Sequence, residues 1–216
     1  MANSLVETQI RGETFTHRIL WECCFCQMET SRRRKRGAMY FHIPAMLMAY
    51  LTYESYINYL GDRIAPEIWK KEREYFREPP YHGIEGKLNL ILEKCKINSI
   101  DLAKGPYQNI VRLKHFRDYL SHGKPDKYEL IKLHIRNKEP SLFDGYDKLS
   151  KFVTKEKSES SVKSVKLFID ELHHKILKSI KGNLFKIDGK NPLTGIMGHS
   201  SSESRRKIEN ENILTP

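Results

Sequence analysis

The sequence predicts an all-α fold, an antiparallel helical bundle with a small irregular or short-strand insertion before its last helix. Three observations predict it. Apolar residues recur at helical spacing through several separate segments. Proline and glycine punctuate those segments at short intervals, the pattern of helices joined by tight turns. One segment, Gly105 to Pro125 (GPYQNIVRLKHFRDYLSHGKP), carries helix signals at both ends, with Pro106 at a first turn and Gly123 and Pro125 at the stop.

At 216 residues the chain is long enough for one domain with a real core and short for two. Residues 1–12 are expected to form a flexible N-terminus, 13–181 a single helical domain with 126–157 as its insertion, and 182–216 a flexible tail. The formal net charge of +11 favours a polyanionic partner, either nucleic acid or an acidic surface. Three of the four cysteines (Cys23, Cys24 and Cys26) are bunched, and Cys95 stands alone. Cys23 and Cys26 have CxxC spacing, but no second pair completes a zinc site, so no metal and no cofactor are assigned. Such cysteine usage fits a reduced, cytoplasmic compartment. The N-terminus lacks the cationic and apolar blocks of a signal peptide. The one candidate membrane span, 43–60, contains Glu54, Asn58 and four tyrosines and reads as a buried core helix, so no membrane partner is expected.

In chain order, 13–28 is helical in pattern, with Phe15, Ile19, Cys23 and Cys26 on one side and Trp21 beside them. The run Arg32, Arg33, Arg34, Lys35, Arg36 follows, five consecutive cations that form either a solvated helix end or a phosphate-binding patch. A second helix begins near Pro44, is apolar nearly all round and stops at Gly61. Glu54 and Asn58, four apart, share a face of it. Pro66 opens a third helix through Phe76, and 84–95 forms a fourth. The Pro106 helix presents Ile110, Leu113, Phe116 and Leu120 as an apolar face. Residues 128–135, YELIKLHI, alternate like a short strand. A final helix over 159–180 carries Val162, Val165, Phe168, Leu172 and Ile176 on one face.

Arg117, Asp118 and His122 stand at the end of the Pro106 helix. Arginine offers a permanent cation in a planar fork suited to phosphate, and histidine moves protons near neutrality. An Arg, a polar neighbour and a His five positions on resemble the R-x4–6-H motif of the HEPN superfamily, helical-bundle proteins of which many are metal-independent endoribonucleases. The aromatic-rich second helix with its Glu and Asn is similar to that family as well. The resemblance covers roughly residues 40–125. It implies catalytic roles for Arg117 and His122 with Asp118 orienting them, and supporting roles for Glu54 and Asn58. It also implies an RNA substrate, a homodimer, and a bacterial defence or toxin–antitoxin setting with a cognate antitoxin or defence-system partner.

Cleaving RNA without metal needs a base at the 2′-hydroxyl, a cation at the phosphate and an acid at the leaving oxygen. Arg117 and His122 supply these functions, with Arg32–Arg36 and Lys124 as further RNA contacts. At ~100° per residue, Arg117 and His122 lie about 140° apart around a helix. A two-fold dimer that joins two helix ends closes such a site. Glu54 is expected to pair with Arg117, the alternative being that it faces solvent or another cation. An ion-paired helix end without catalysis, in an RNA- or protein-binding module of the same fold, is the other reading of the Arg–Asp–His group.

Overall fold

A computed structural model of the chain describes residues 6–34, 36–98, 100–103, 105–125, 148–179, 187, 191–195 and 197–207. Lys35, the expected strand at 128–135 and most of the 126–157 insertion lie outside these residues. The chain divides into two units, and every regular element described in the larger, Thr16–Gly195, is a helix. Its elements are α1 (Thr16–Arg33), α2 (Met39–Ile64), α3 (Pro66–Trp69), α4 (Glu72–Tyr75), α5 (Gly83–Lys94), α6 (Pro106–His122), α7 (Lys148–Phe152) and α8 (Lys155–Ser179). The fold is all-α, as the spacing predicts. Among the described residues no helix is long and apolar enough to cross a membrane.

The centre of the bundle is α2. Tyr50, Tyr53, Tyr56, Ile57 and Leu60 are buried along it, because its sequence is apolar on almost every side. α1 folds back on α2 as an antiparallel hairpin: His17 at its start lies against the rings of Tyr56 and Tyr59 (centroids 5.4 and 4.9 Å), and Arg34 past its end lies over Phe41. α8 runs alongside in the direction of α2. Ser158 meets Met46, Phe168 meets Tyr53, and Tyr56 shares a buried 2.8 Å hydrogen bond with His173 Nδ1. α6 runs against α8, with Tyr107 on Phe168 and Asn109 Nδ2 donating to Ser164 Oγ at 2.8 Å.

Several expectations are corrected. Gly61 does not end α2, which continues to Ile64. A Cβ there would lie 1.9 Å from Trp69 Cζ2, so the glycine makes room for the indole instead. The third helix is two short ones, α3 and α4. The buried face of α1 is His17, Trp21, Cys24, Met28 and Ser31, whereas Ile19, Cys23 and Cys26 are exposed. Burial, with Cys23 adding to it, pushes the Cys24 thiol up to about 12.

The helical unit also outruns its expected end at 181. Arg18, buried, donates from Nε to the Pro192 carbonyl at 3.3 Å, and Leu193 joins the core. In the second unit, β1 (Val6–Thr14) and β2 (Gly198–Lys207) form an antiparallel pair, with Glu7 opposite Arg205 and Ile10 opposite Ser202. The backbone N–H of Phe15 extends the pairing to the carbonyl of Met197 at 2.6 Å. Residues 6–12 and 198–207 thus lie in a strand pair whose ladder hydrogen bonds satisfy the backbone.

Candidate active site

α6 is shaped by its ends. Gly105 adopts φ 66°, Pro106 takes the first helical position, and Gly123, left-handed at φ 47°, sends its N–H to the Tyr119 carbonyl at 3.2 Å. Tyr107, Ile110, Leu113 and Phe116 form the buried stripe, and Leu120 packs against it. Arg117 follows Phe116 by one residue, about 100° around the axis. It therefore sits at the border of the core, facing α2.

There its guanidinium is held on three sides. Nη2 donates to Glu54 Oε1 at 2.9 Å, and Nη1 lies 3.0 Å from Asp118 Oδ1. The guanidinium carbon stands 5.3 Å from the centroid of the Tyr50 ring, in cation–π range. The side chains of Arg117 and Glu54 keep 34% and 26% of their exposure, so the pair sits at a rim rather than in the core. Burial works against the charge of Arg117, but Tyr50, Glu54 and Asp118 together hold its pKa above the ordinary value. Arg117 Nε and the Tyr50 hydroxyl are buried polar atoms without a well-formed hydrogen bond. Burial first, and Glu54 next, raise the Tyr50 pKa, while Arg117 opposes the shift.

The structure thus brings together Arg117, Asp118 and Glu54, including the Glu54–Arg117 pair expected from the sequence. Asn58 shares the face of Glu54 but turns to a different partner. Its Oδ1 accepts from Lys87 Nζ at 2.8 Å, and Lys87 also binds Glu72. His122 is the last residue of α6 and exposed, and among the described residues nothing joins it to Arg117. Of the basic run, Arg32 is paired with Glu29 at 2.5 Å and Glu159 at 3.4 Å, while Arg34 lies over Phe41. Arg33, Arg36 and Lys124 are exposed.

Sequence reasoning missed Tyr50 and Lys87. Tyr50 lies four residues before Glu54, on the same face of α2, and that spacing was the signal available. Lys87 gave none, because it comes from a different helix.

Chemically, the cluster presents a permanent cation at a surface rim, a carboxylate on either side of it, and an exposed histidine beyond it on the same helix. A phosphate oxygen arriving there would compete with Glu54 and Asp118 for the two Nη groups. No protein-family model, no curated protein and no solved structure matches this chain.

Proposed function

We propose that the chain is a metal-independent endoribonuclease whose site is composed of Arg117 and His122 from two copies, joined at the ends of their α6 helices. The single observation that carries this reading is the Glu54–Arg117–Asp118 cluster, which fixes a partly exposed guanidinium on the helix that ends in an exposed His122. Arg117 stabilises the charge on the phosphate. The two histidines of the dimer take the roles of base and acid. Asp118 and Glu54 keep the guanidinium in one rotamer, and Asn58 supports the same face of α2. The net charge of +11 and the exposed Arg33, Arg36 and Lys124 favour an RNA backbone as partner. The resemblance to HEPN proteins adds the defence or toxin–antitoxin setting and a cognate antitoxin or defence-system partner.

One observation favours a different reading, a non-catalytic module that binds RNA or a protein. Both Nη groups of Arg117 are already engaged by carboxylates, as in a structural ion pair. Expression of the wild type beside a His122→Ala variant separates the two readings. The nuclease slows growth and degrades cellular RNA only with His122 in place. A binding module gives the same result in both strains.

A further inference from the structure

Glu54 has two neighbourhoods. One is Arg117; the other is a cavity of about 330 Å³ that Glu54 lines together with Asn58, Glu72, Arg73, Phe76 and Lys87. That volume is at the small end of ligand pockets, the size for one flat heterocycle rather than a nucleotide chain. The walls carry two carboxylates and two cations, a balance that does not select a phosphate. They do offer acceptors and donors side by side. Lys87 Nζ, on a side chain only 12% exposed, is pinned between the Glu72 carboxylate and Asn58 Oδ1 and lies 5.6 Å from the Phe76 ring centroid.

We infer that this cavity is the subsite for one unpaired guanine of the RNA, next to the phosphate that Arg117 holds. The inference rests on the ribonuclease reading for the identity of the polymer. Unpaired RNA bases are read on their edges by such groups. Guanine places two adjacent N–H donors beside a carbonyl acceptor. A carboxylate can accept both donors, and an ammonium beside it can reach the carbonyl oxygen. Glu72 and Lys87 present that pairing. Adenine and cytosine offer a carboxylate only one such donor group, and uracil offers it one N–H between two acceptors.

Hexauridylate oligonucleotides carrying one central guanine, adenine or cytosine test this by fluorescence anisotropy and by mapping cuts. Wild-type protein binds the guanine oligonucleotide tighter by about fivefold to a hundredfold, the worth of one good bidentate contact. Glu72→Gln, which replaces an acceptor with a donor, abolishes that ratio, and so does Lys87→Met. A circular-dichroism melt checks that each variant is folded. Arg117→Ala weakens binding to all three and keeps the ratio. Equal binding of the three by the wild type, or a guanine preference that survives Glu72→Gln, overturns the proposal. Cutting without base preference removes the subsite and leaves the nuclease. Guanine preference without cutting does the reverse, and absence of RNA binding removes both.

Discussion

Arg117 anchors α6 to α2 through Glu54, and it is proposed to hold a phosphate as well. Variants separate the two roles. Removing Glu54 leaves a cation half-buried over Tyr50, but solvent reaches the pair, so the loss is discounted from that of a dry one. Glu54→Ala is expected to lower stability by about 1 kcal/mol in urea denaturation, and Glu54→Gln by less, since an amide still accepts from the guanidinium. Activity should fall modestly in both, because Glu54 positions and does not react. Arg117→Ala should abolish turnover and weaken RNA binding. Arg117→Lys should recover part of the binding and little of the turnover, since an ammonium has no fork to span two oxygens. Equal activity for lysine and arginine at this position would remove the bidentate role. The Glu54–Arg117 contact was legible in the sequence because a carboxylate on an apolar helix needs a cation. Tyr50 beneath the pair was not legible, because its role depends on the register between α2 and α6.

At the scale of elements, the sequence was clearest where chemistry punctuates it. Gly105, Pro106 and Gly123 mark both ends of α6, and the buried stripe between them matches the spacing. α1 was harder, since two sets of its residues repeat at helical intervals. His17, Trp21, Cys24 and Met28 are inside because α2 offers Tyr56 and Tyr59 to His17. A consequence is testable with a thiol reagent: in native protein Cys23 and Cys26 label quickly, while Cys24, buried and with its pKa raised to about 12, labels only on unfolding. Rapid labelling of Cys24 with Cys23 protected would place α1 the other way round. Gly61 makes a second test. Alanine is ordinarily the better helix former by about 1 kcal/mol. Here its methyl meets the Trp69 ring, so Gly61→Ala should destabilise by about 1–3 kcal/mol in urea. A stabilised variant would show that α2 and α3 do not pack as described.

At the scale of the molecule, the proposed site needs two copies. The separation of about 140° between Arg117 and His122 on one helix leaves each α6 end with half a site. Light scattering is expected to give a dimer at micromolar concentration. A strict monomer, with or without RNA, would contradict the composite site. The pairing of β1 with β2 was the part of the fold least open to prediction. Each strand is largely polar, and what makes it a strand is a partner nearly the whole chain away. The anchoring of Leu193 and Pro192 beside Arg18 was hidden for the same reason.

Arg117 and His122 are proposed to cut RNA by acid–base chemistry at the ribose. The most direct measurement is the end chemistry of fragments made by purified protein in EDTA, on a ribo-oligonucleotide and on the same oligonucleotide with 2′-deoxy at the cut. The expected outcome is a 2′,3′-cyclic phosphate and a 5′-hydroxyl from the first and no cut at the second. His122→Ala should lower the rate by about 10²–10⁴-fold, the worth of a positioned acid or base. Cleavage of the 2′-deoxy substrate, a requirement for a divalent ion, or undiminished cutting by His122→Ala would contradict it.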